Sequence, residues 1–285
     1  MPNGFYVLTE DSLYSCFLVS RFLERFGEGS SFLGVLAGEP RPSSDRLRDR
    51  ERFHATFAGF PGWNDAIAKE WSELYQPIDE TGRRMVEAYG LPRFAMSHHH
   101  NTVFLGTDVN GRDVQNRVSK LCASHEPWLV NYLPKLLKPW WVQAAGGRLL
   151  NCHSAVLPYA RGMYAVEQIA ASRDVAAFRN AVGVTVHYID EGIDTGPIVR
   201  AERLIAPFRF ASLWELKGYL YKTGVEAYAS TMERIVEATD IIPAGVYARP
   251  ELTGRNYLRK HFTEEKKRQA VRGYVWMKSQ GAPSS

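Results

Sequence analysis

Short apolar runs alternate with segments of helical periodicity along this chain, and the alternation predicts an α/β protein. Residues 4–9 and 32–37 are apolar and favour strands, and apolar residues recur at helical spacing between them, over residues 13–26. A strand, a helix and a strand at this spacing form a βαβ unit, which implies that the two strands are parallel. Asp11 is the expected N-cap of the helix.

The same alternation returns in the second half of the chain. Strands are expected at residues 102–105, 148–153, 182–189 and 198–204, and residues 128–132 form a further apolar run. Helices are expected at residues 111–124, 134–144, 164–172 and 213–236. Residues 39–101 are less regular, with a mixed-charge loop at 41–52 and amphipathic helices at 66–75 and 81–89. We interpret this region as an elaboration on a sheet that helices cover on both faces.

Composition narrows the class of protein. The chain has 285 residues, of which 45% are hydrophobic and 23% charged, as in globular proteins with a substantial core. Its 35 Lys and Arg against 31 Asp and Glu give a net charge of +4, whereas nucleic-acid binders concentrate far more positive charge. No run approaches the ~18 apolar residues of a membrane span, and the start lacks signal-peptide features. We expect a cytoplasmic monomer or homodimer with free cysteines and neither a nucleic-acid nor a membrane partner.

The most informative polar residues lie in residues 149–162 (LLNCHSAVLPYARG). They follow a predicted strand, and open α/β sheets bind ligands at the carboxyl ends of their strands. Strand alternation places Asn151 and His153 on one face and Cys152 on the other, which disfavours a cysteine nucleophile activated by His153. Two interpretations stay open. The segment is a structural strand end with a hydrogen-bonded histidine, or a pocket where an amide stabilises an oxyanion and an imidazole moves protons.

An acidic, glycine-containing loop follows another predicted strand in residues 185–197 (TVHYIDEGIDTGP). Thr185 and His187 lie on one face of that strand. One interpretation of the loop is a solvated acidic turn. The other is that one of its carboxylates lies beside His153, where it would hold the tautomer of the ring and raise its pKa by favouring the imidazolium.

Together the two segments resemble the folate-dependent formyltransferases typified by glycinamide ribonucleotide transformylase. That family carries Asn-x-His-x-x-x-Leu-Pro followed closely by Arg-Gly, and then Val-His-x-x-Asp-x-x-x-Asp-x-Gly-Pro. The matching residues are Asn151, His153, Leu157, Pro158, Arg161, Gly162, Val186, His187, Asp190, Asp194, Gly196 and Pro197. The similarity spans roughly residues 128–236. It implies the formyltransferase fold, an α/β, Rossmann-like, mostly parallel twisted sheet, with a catalytic domain over residues 1–237 and a C-terminal extension, residues 238–285, packed on it.

The resemblance also implies a mechanism and a formyl donor, 10-formyltetrahydrofolate. Asn151 would bind the formyl oxygen, and His153 would move or support the transferred proton as an amine attacks. Asp194 would fix and polarise His153 or take the amine proton through water, with His187 and Arg161 in support. The pterin would lie between two loops, whose residues are Tyr132, Leu133, Pro134, Ile189, Asp190, Glu191, Gly192 and Ile193.

The residues after the first strand bear on the acceptor. In glycinamide ribonucleotide enzymes a glycine- and serine-rich turn binds the substrate phosphate there, whereas this chain has Glu10, Asp11 and Ser12. Carboxylates repel phosphate and attract an ammonium group. We therefore expect N5-hydroxyornithine, formylated for siderophore biosynthesis, ahead of a nucleotide sugar and of glycinamide ribonucleotide.

Other members of the family are less compatible with the chain. The tail after Val236, about fifty residues, is short for the barrel domain of methionyl-tRNA formyltransferases, and the extra amino-terminal domain of the formyl-folate hydrolases is not expected. A formyl-folate hydrolase and a silent folate-binding relative nevertheless remain as the non-transferase alternatives.

Two further patterns indicate what the chain does not bind. His98, His99 and His100 are consecutive, and adjacent side chains diverge on an extended chain, whereas zinc needs convergent ligands. We expect no metal site there, and interpret the loop as lining the acceptor pocket. No Gly-x-Gly-x-x-Gly follows the first strand, which disfavours a nicotinamide-dependent dehydrogenase.

Overall fold

A computed structural model of the chain describes residues 4–29, 31–238 and 243–281. The strands found there are β1 (Phe5–Thr9), β2 (Phe32–Ala37), β3 (Thr102–Phe104), β4 (Trp128–Asn131), β5 (Leu149–His153), β6 (Arg161–Gly162), β7 (Gly183–Tyr188), β8 (Ile198–Arg203) and β9 (Asn256–Tyr257). The helices are α1 (Leu13–Phe26), α2 (Ser44–Phe57), α3 (Asp65–Leu74), α4 (Glu80–Tyr89), α5 (Arg112–His125), α6 (Pro139–Ala144), α7 (Ala165–Ser172), α8 (Val175–Ala181), α9 (Leu213–Glu237) and α10 (Glu264–Gly281). No helix in the described ranges combines the length and apolarity that a bilayer crossing requires.

Seven strands form one sheet in the order β3-β2-β1-β4-β5-β7-β8. Neighbours from β3 to β5 pair in parallel, and β8 runs antiparallel to β7. The predicted α/β fold with a mostly parallel sheet is therefore confirmed. Strands of a parallel sheet are apolar along their length because both faces are buried, and every residue of β1 is buried.

The first of two compact units comprises Met1–Asn151 and Tyr228–Pro243. Aromatic packing in its core joins Phe5 of β1 to Phe32 of β2 and to Phe22 of α1, with ring centroids 5.2 Å apart in each pair. The hydroxyl of Tyr228 lies 2.7 Å from the Asn131 carbonyl and 3.1 Å from that of Leu150. This buried tyrosine ties α9 to β4 and β5.

The second unit comprises Cys152–Ala227 and Ala244–Ser285. In it α10 packs along α7, and a Cβ added at Gly273 would lie 1.9 Å from the Ala170 carbonyl oxygen. The buried hydroxyl of Tyr274 lies 2.9 Å from the carbonyl of Pro207. The predicted domain boundary at residue 237 stays a prediction. The helix α10 was not predicted from the sequence pattern.

The predicted mixed-charge loop at residues 41–52 is wrong, because α2 occupies most of it. The Ser43 side chain caps the helix by accepting a hydrogen bond from the Arg46 N–H at 3.2 Å. Opposite charges three residues apart then pair along its exposed face, as between Arg52 and Asp49 at 2.8 Å. The helix was missed because it has few apolar positions.

Two helix starts also differ from expectation. Ser12, not Asp11, caps α1, and its hydroxyl accepts from the Ser15 N–H at 3.1 Å. The helix expected at 134–144 is confined to α6, because Pro139 at its first position disfavours helical angles at the preceding residue, Lys138, which is extended. α8, capped by the Asp174 side chain, was not expected.

Candidate functional site

The end of β5 and the loop after β7 bring His153, His187 and Asp194 together within the second unit. His153 Nδ1 lies 3.5 Å from Asp194 Oδ2, and His187 Nε2 lies 3.5 Å from Asp194 Oδ1. The Gly162 N–H also donates to Asp194 Oδ2 at 2.7 Å. The side chains of His153, His187 and Asp194 are at most 14% exposed, and together they form the imidazole cluster.

The loop after β7 fixes Asp194 through its own side-chain hydrogen bonds. Asp190 Oδ1 accepts from the Gly192 N–H at 3.0 Å and from the Thr195 hydroxyl at 2.6 Å. Asp194 itself has a φ of +51°, a left-handed conformation that aspartate tolerates better than most residues. The segment is therefore a folded loop that presents one carboxylate inward, and the solvated acidic turn is excluded for Asp194.

Burial and pairing set the charges of the cluster. Burial raises the pKa of Asp194, but His153, His187 and the Gly162 N–H outweigh it and hold that pKa well below its usual range. Burial lowers the pKa of His153 by more than Asp194 raises it, so the net direction is downward. The predicted upward effect of a carboxylate on the pKa of His153 is present, but desolvation of the buried imidazole exceeds it.

Asn151 lies two residues before His153 on β5, and Asn131 orients its amide. The Leu133 N–H approaches Asn131 Oδ1 at 3.4 Å, and Asn131 Nδ2 donates to Asn151 Oδ1 at 3.2 Å. Because Asn151 Oδ1 accepts the hydrogen bond from Asn131, the hydrogen-bond donor of the Asn151 amide is its other end, Nδ2. Asn131 was not singled out from the sequence, although its position at the end of β4, paired with Asn151 across the sheet, could have revealed it.

Cys152 points away from this chemistry. Its Sγ lies 3.6 Å from the Gly224 carbonyl of α9. Burial raises the pKa of the thiol to about 12, so the sulfur stays protonated at neutral pH. A nucleophilic cysteine needs a lowered pKa, and these surroundings do the opposite.

The residues expected to hold folate lie in separate compact units. Residues 132–134 follow β4 in the first unit, where the Tyr132 N–H donates to the Leu8 carbonyl at 2.7 Å. Residues 189–193 belong to the β7 loop of the second unit, and Arg161 lies there in β6, paired with β9. Folate binding by both loops stays a prediction.

The turn after β1 contains a second buried charge cluster, in the first unit. Asp11 is ion-paired with Arg50 of α2, and Arg50 Nη1 lies 3.9 Å from Glu39 Oε1. Burial raises the pKa of Asp11 to about 6 and that of Glu39 to about 7, and the Asp11 carboxylate raises that of Glu39 further. Arg50 and Arg46 lower both pKa values, and Glu10 raises both. Asp11, Glu39 and Arg50 form the carboxylate cluster, while Glu10 pairs with Lys135 at 3.4 Å.

Sequence reasoning found Asp11 and missed Glu39 and Arg50. Glu39 follows β2 closely, as Glu10 follows β1, and these two strands are parallel neighbours. That position could have identified Glu39. Arg50 could not be identified, because the helix that carries it was interpreted as a loop.

The three consecutive histidines do not act as one group. Possible ligand atoms of Glu28, His99 and His100 lie within 4.8 Å of one another. However, His99 Nε2 is hydrogen-bonded to the Phe32 carbonyl at 3.0 Å, and its Nδ1 accepts from the Asn101 N–H at 3.1 Å. Metal binding by His99 would break one of these bonds, so the expectation of no metal site stands as a prediction.

Comparison with known proteins gives both family and fold matches. The sequence model of the formyl transferase family matches residues 74–207. The phosphoribosylglycinamide formyltransferase of Bacillus subtilis (strain 168) is 30% identical over 159 residues, which are 53% of this chain and 71% of that enzyme.

Two solved structures show the same fold at low identity. A sugar N-formyltransferase from Shewanella sp FDAARGOS_354 has a TM-score of 0.55 at 10% sequence identity. The superposition covers 95% of this chain and 88% of the Shewanella chain. Glycinamide ribonucleotide transformylase 1 from Symbiobacterium toebii has a TM-score of 0.50 at 13% sequence identity. This superposition covers 86% of the present chain and 93% of the Symbiobacterium chain.

Proposed function

This chain belongs to the folate-dependent formyltransferase family, and we propose that it transfers the formyl group of 10-formyltetrahydrofolate to a small-molecule amine or hydroxylamine. The observation that carries the proposal is the imidazole cluster at the end of β5, two residues beyond the oriented amide of Asn151. An ionised carboxylate, a buried imidazole and an amide donor suit direct acyl transfer, because they can stabilise an oxyanion and move a proton. No covalent enzyme intermediate is needed, in agreement with the buried, protonated thiol of Cys152.

In the proposed step, the amine nitrogen forms a bond to the formyl carbon and the formyl oxygen becomes negatively charged. Asn151 Nδ2 donates a hydrogen bond to that oxygen in the tetrahedral intermediate. The bond from the formyl carbon to the folate nitrogen then breaks. The amine loses one proton and the folate nitrogen gains one. Neutral His153 accepts and returns this proton at Nδ1, because its Nε2–H donates to the Ala160 carbonyl. Asp194 stabilises the imidazolium that forms meanwhile, and His187 and Gly162 hold Asp194 in place.

The residues of the chain suit a formyl-folate. The β7 loop contains exposed backbone at Gly192, which can offer a hydrogen-bonding group to a pterin ring, and Tyr132 and Leu133 directly follow β4. We propose that residues 132–134 and 189–193 bind the pterin. Arg161 would support the same region from β6.

For the acceptor we favour N5-hydroxyornithine, which would place the enzyme in siderophore biosynthesis. Support comes from the carboxylate cluster, where Asp11 and Glu39 lie beside Arg50 and burial raises the pKa of the two carboxyls to about 6 and about 7, so that their ionised forms carry charge which a bound cation would stabilise. An α-ammonium group would offset that charge. Arg50 Nη1 is buried without a hydrogen bond and could donate to an α-carboxylate. A zwitterionic head group therefore suits the cluster better than a phosphate does.

The experiment is formyl transfer with purified protein and 10-formyltetrahydrofolate, followed by the ultraviolet change on conversion to tetrahydrofolate. Hydroxyornithine, an aminated nucleotide sugar and glycinamide ribonucleotide are supplied separately, with a reaction that lacks acceptor. We expect turnover that depends on hydroxyornithine. Turnover with another acceptor overturns only the choice of acceptor. Acceptor-independent turnover indicates a hydrolase, and folate binding without turnover indicates a silent relative.

A further inference from the structure

A second buried ion pair lies beside the imidazole cluster, and the proposed reaction does not use it. Lys217 Nζ of α9 lies 3.4 Å from Glu167 Oε2 of α7, and the two side chains are 2% and 4% exposed. Removing two charges from water is costly, and well-packed apolar residues often stabilise a core as much as such a pair does. Stability alone therefore does not account for the pair.

Lys217 is anchored one residue away from the catalytic imidazole. Its Nζ donates to the Ser154 hydroxyl at 3.1 Å, and Ser154 directly follows His153. The ammonium group also lies over the ring of Tyr221, 5.1 Å from the centroid. These contacts hold a positive charge in the low-dielectric surroundings of His153, where water screens it little.

The groups that face His153 come from three directions. Asp194 and His187 lie on β7 and its loop, Lys217 lies on α9, and the Ala160 carbonyl is 3.1 Å from His153 Nε2. After burial, which lowers the pKa of His153, Asp194 raises it, while His187 and Lys217 lower it. The cation and the carboxylate therefore act on the ring in opposite directions.

We propose that Lys217, held in place by Glu167 and Ser154, is a positioning residue that counterbalances Asp194 at His153 and lets the ring release the proton it takes up during formyl transfer. The nearby ammonium acts in the same direction as burial and His187, against Asp194, and so favours release of the proton from the imidazolium. This role rests on the proposed function. Ser154 contributes by fixing the ammonium relative to the strand end.

The test is an NMR titration of the histidine rings in the full chain, with His153 assigned by the signal that His153→Gln removes. The main variant is Lys217→Met with Glu167→Gln, which removes both charges and leaves neither buried alone. We expect the His153 midpoint to rise by about one pH unit. Lys222→Met is the matched control, because Lys222 is on the same helix but pairs with Glu226 at 3.0 Å. The His153 midpoint should be the same in this variant as in the wild-type protein.

Glu167→Gln alone supplies a second test if the double variant does not fold. Lys217 then loses its counter-ion, so its field at His153 strengthens and the midpoint should fall instead of rise. Opposite shifts in the two variants are the signature of charge acting on the ring. A midpoint unmoved in both, or moved equally by Lys222→Met, overturns the proposal.

Activity adds a separate readout. The acid limb of the kcat/KM profile should move upward with the His153 midpoint in the double variant, with little change in KM for the folate. If the wild-type protein shows no formyl transfer, the proposed function fails, while the titration still decides whether Lys217 acts on His153.

Discussion

The imidazole cluster and the carboxylate cluster are both buried, but they balance charge in different ways. In the imidazole cluster, Asp194 has two histidines and a backbone N–H around it, and its pKa is held low despite burial. In the carboxylate cluster, Asp11 and Glu39 share one guanidinium, and burial raises their pKa values to about 6 and about 7.

The two clusters therefore differ in how readily their carboxylates change charge: Asp194 stays ionised, whereas Asp11 and Glu39 can take up a proton near neutral pH. A carboxylate surrounded by donors keeps its charge throughout the physiological range, so Asp194 can stabilise an imidazolium at any stage of a reaction. Carboxylates that are short of donors take up a proton or bind a cation instead. The first arrangement suits catalysis, and the second suits a ligand that arrives and leaves.

The largest expected effect is that of Asp194→Asn. This change removes the charge that stabilises the His153 imidazolium, and we expect kcat to fall by about 10²–10⁴-fold. Steady-state formyl transfer measures the loss, with circular dichroism as the check on folding. Asp174→Asn is the control, because Asp174 caps α8 and asparagine caps equally well. Equal turnover in both variants would remove Asp194 from the mechanism.

Asn151→Ala should have the next largest effect. Loss of an oxyanion donor costs about 10²–10³-fold in kcat. Cys152→Ala changes the adjacent residue of the same strand and should keep its turnover, because the thiol is buried against the Gly224 carbonyl. A folded but inactive Cys152→Ala protein would contradict the assignment of faces along β5.

The carboxylate cluster can be tested through stability, with Glu39→Gln. The folded pKa of about 7 exceeds the ordinary value of 4.5, so between these pH values the folded state binds a proton that the unfolded state has lost. Wild-type stability should therefore fall as pH rises through this window. At pH 8 the variant should be more stable by ~1–2 kcal/mol, allowing for solvent screening of a partly exposed group.

Urea unfolding at pH 5 and at pH 8 measures this difference. Glu24→Gln is the matched control, because Glu24 is exposed and only 3.8 Å from Arg21 in a surface pair. If Glu39→Gln has the same pH slope as wild type, the carboxylate cluster does not hold surplus charge, and its suitability for an ammonium group is lost. Adding hydroxyornithine at pH 8 should reduce the advantage of the variant, because the ligand would offset the same charge.

Much of the fold was predictable because apolar runs identify buried strands without any knowledge of distant contacts. β1, β2 and β5 lie within a residue of their expected positions. The approach of Asp194 to His153 was predictable because the two motifs resemble those of the formyltransferases, whereas the roles of Asn151, His153 and Asp194 stay predictions. The electrostatic surroundings of these residues were harder to predict. The net direction of the His153 pKa depends on burial, which no local sequence pattern reveals.

Long-range pairing explains the residues that were missed. Arg50 joins Asp11 from a helix far along the chain, and Lys217 joins Glu167 in the same way. Each side chain is an ordinary charged residue in its own segment. Only the folded chain shows that both are buried, which no charge pattern of a surface helix indicates.

The smallest expected effect concerns α2, the missed helix that carries Arg50. Ser43→Ala removes the side chain that accepts from the Arg46 N–H, and should cost about 1 kcal/mol of stability. Arg48→Ala breaks only an exposed pair with Asp45 on the same helix and should cost less than about 0.5 kcal/mol. Urea unfolding compares the two. If Arg48→Ala costs more, surface ion pairs rather than the cap hold the start of α2, and the position of Arg50 then depends on salt concentration.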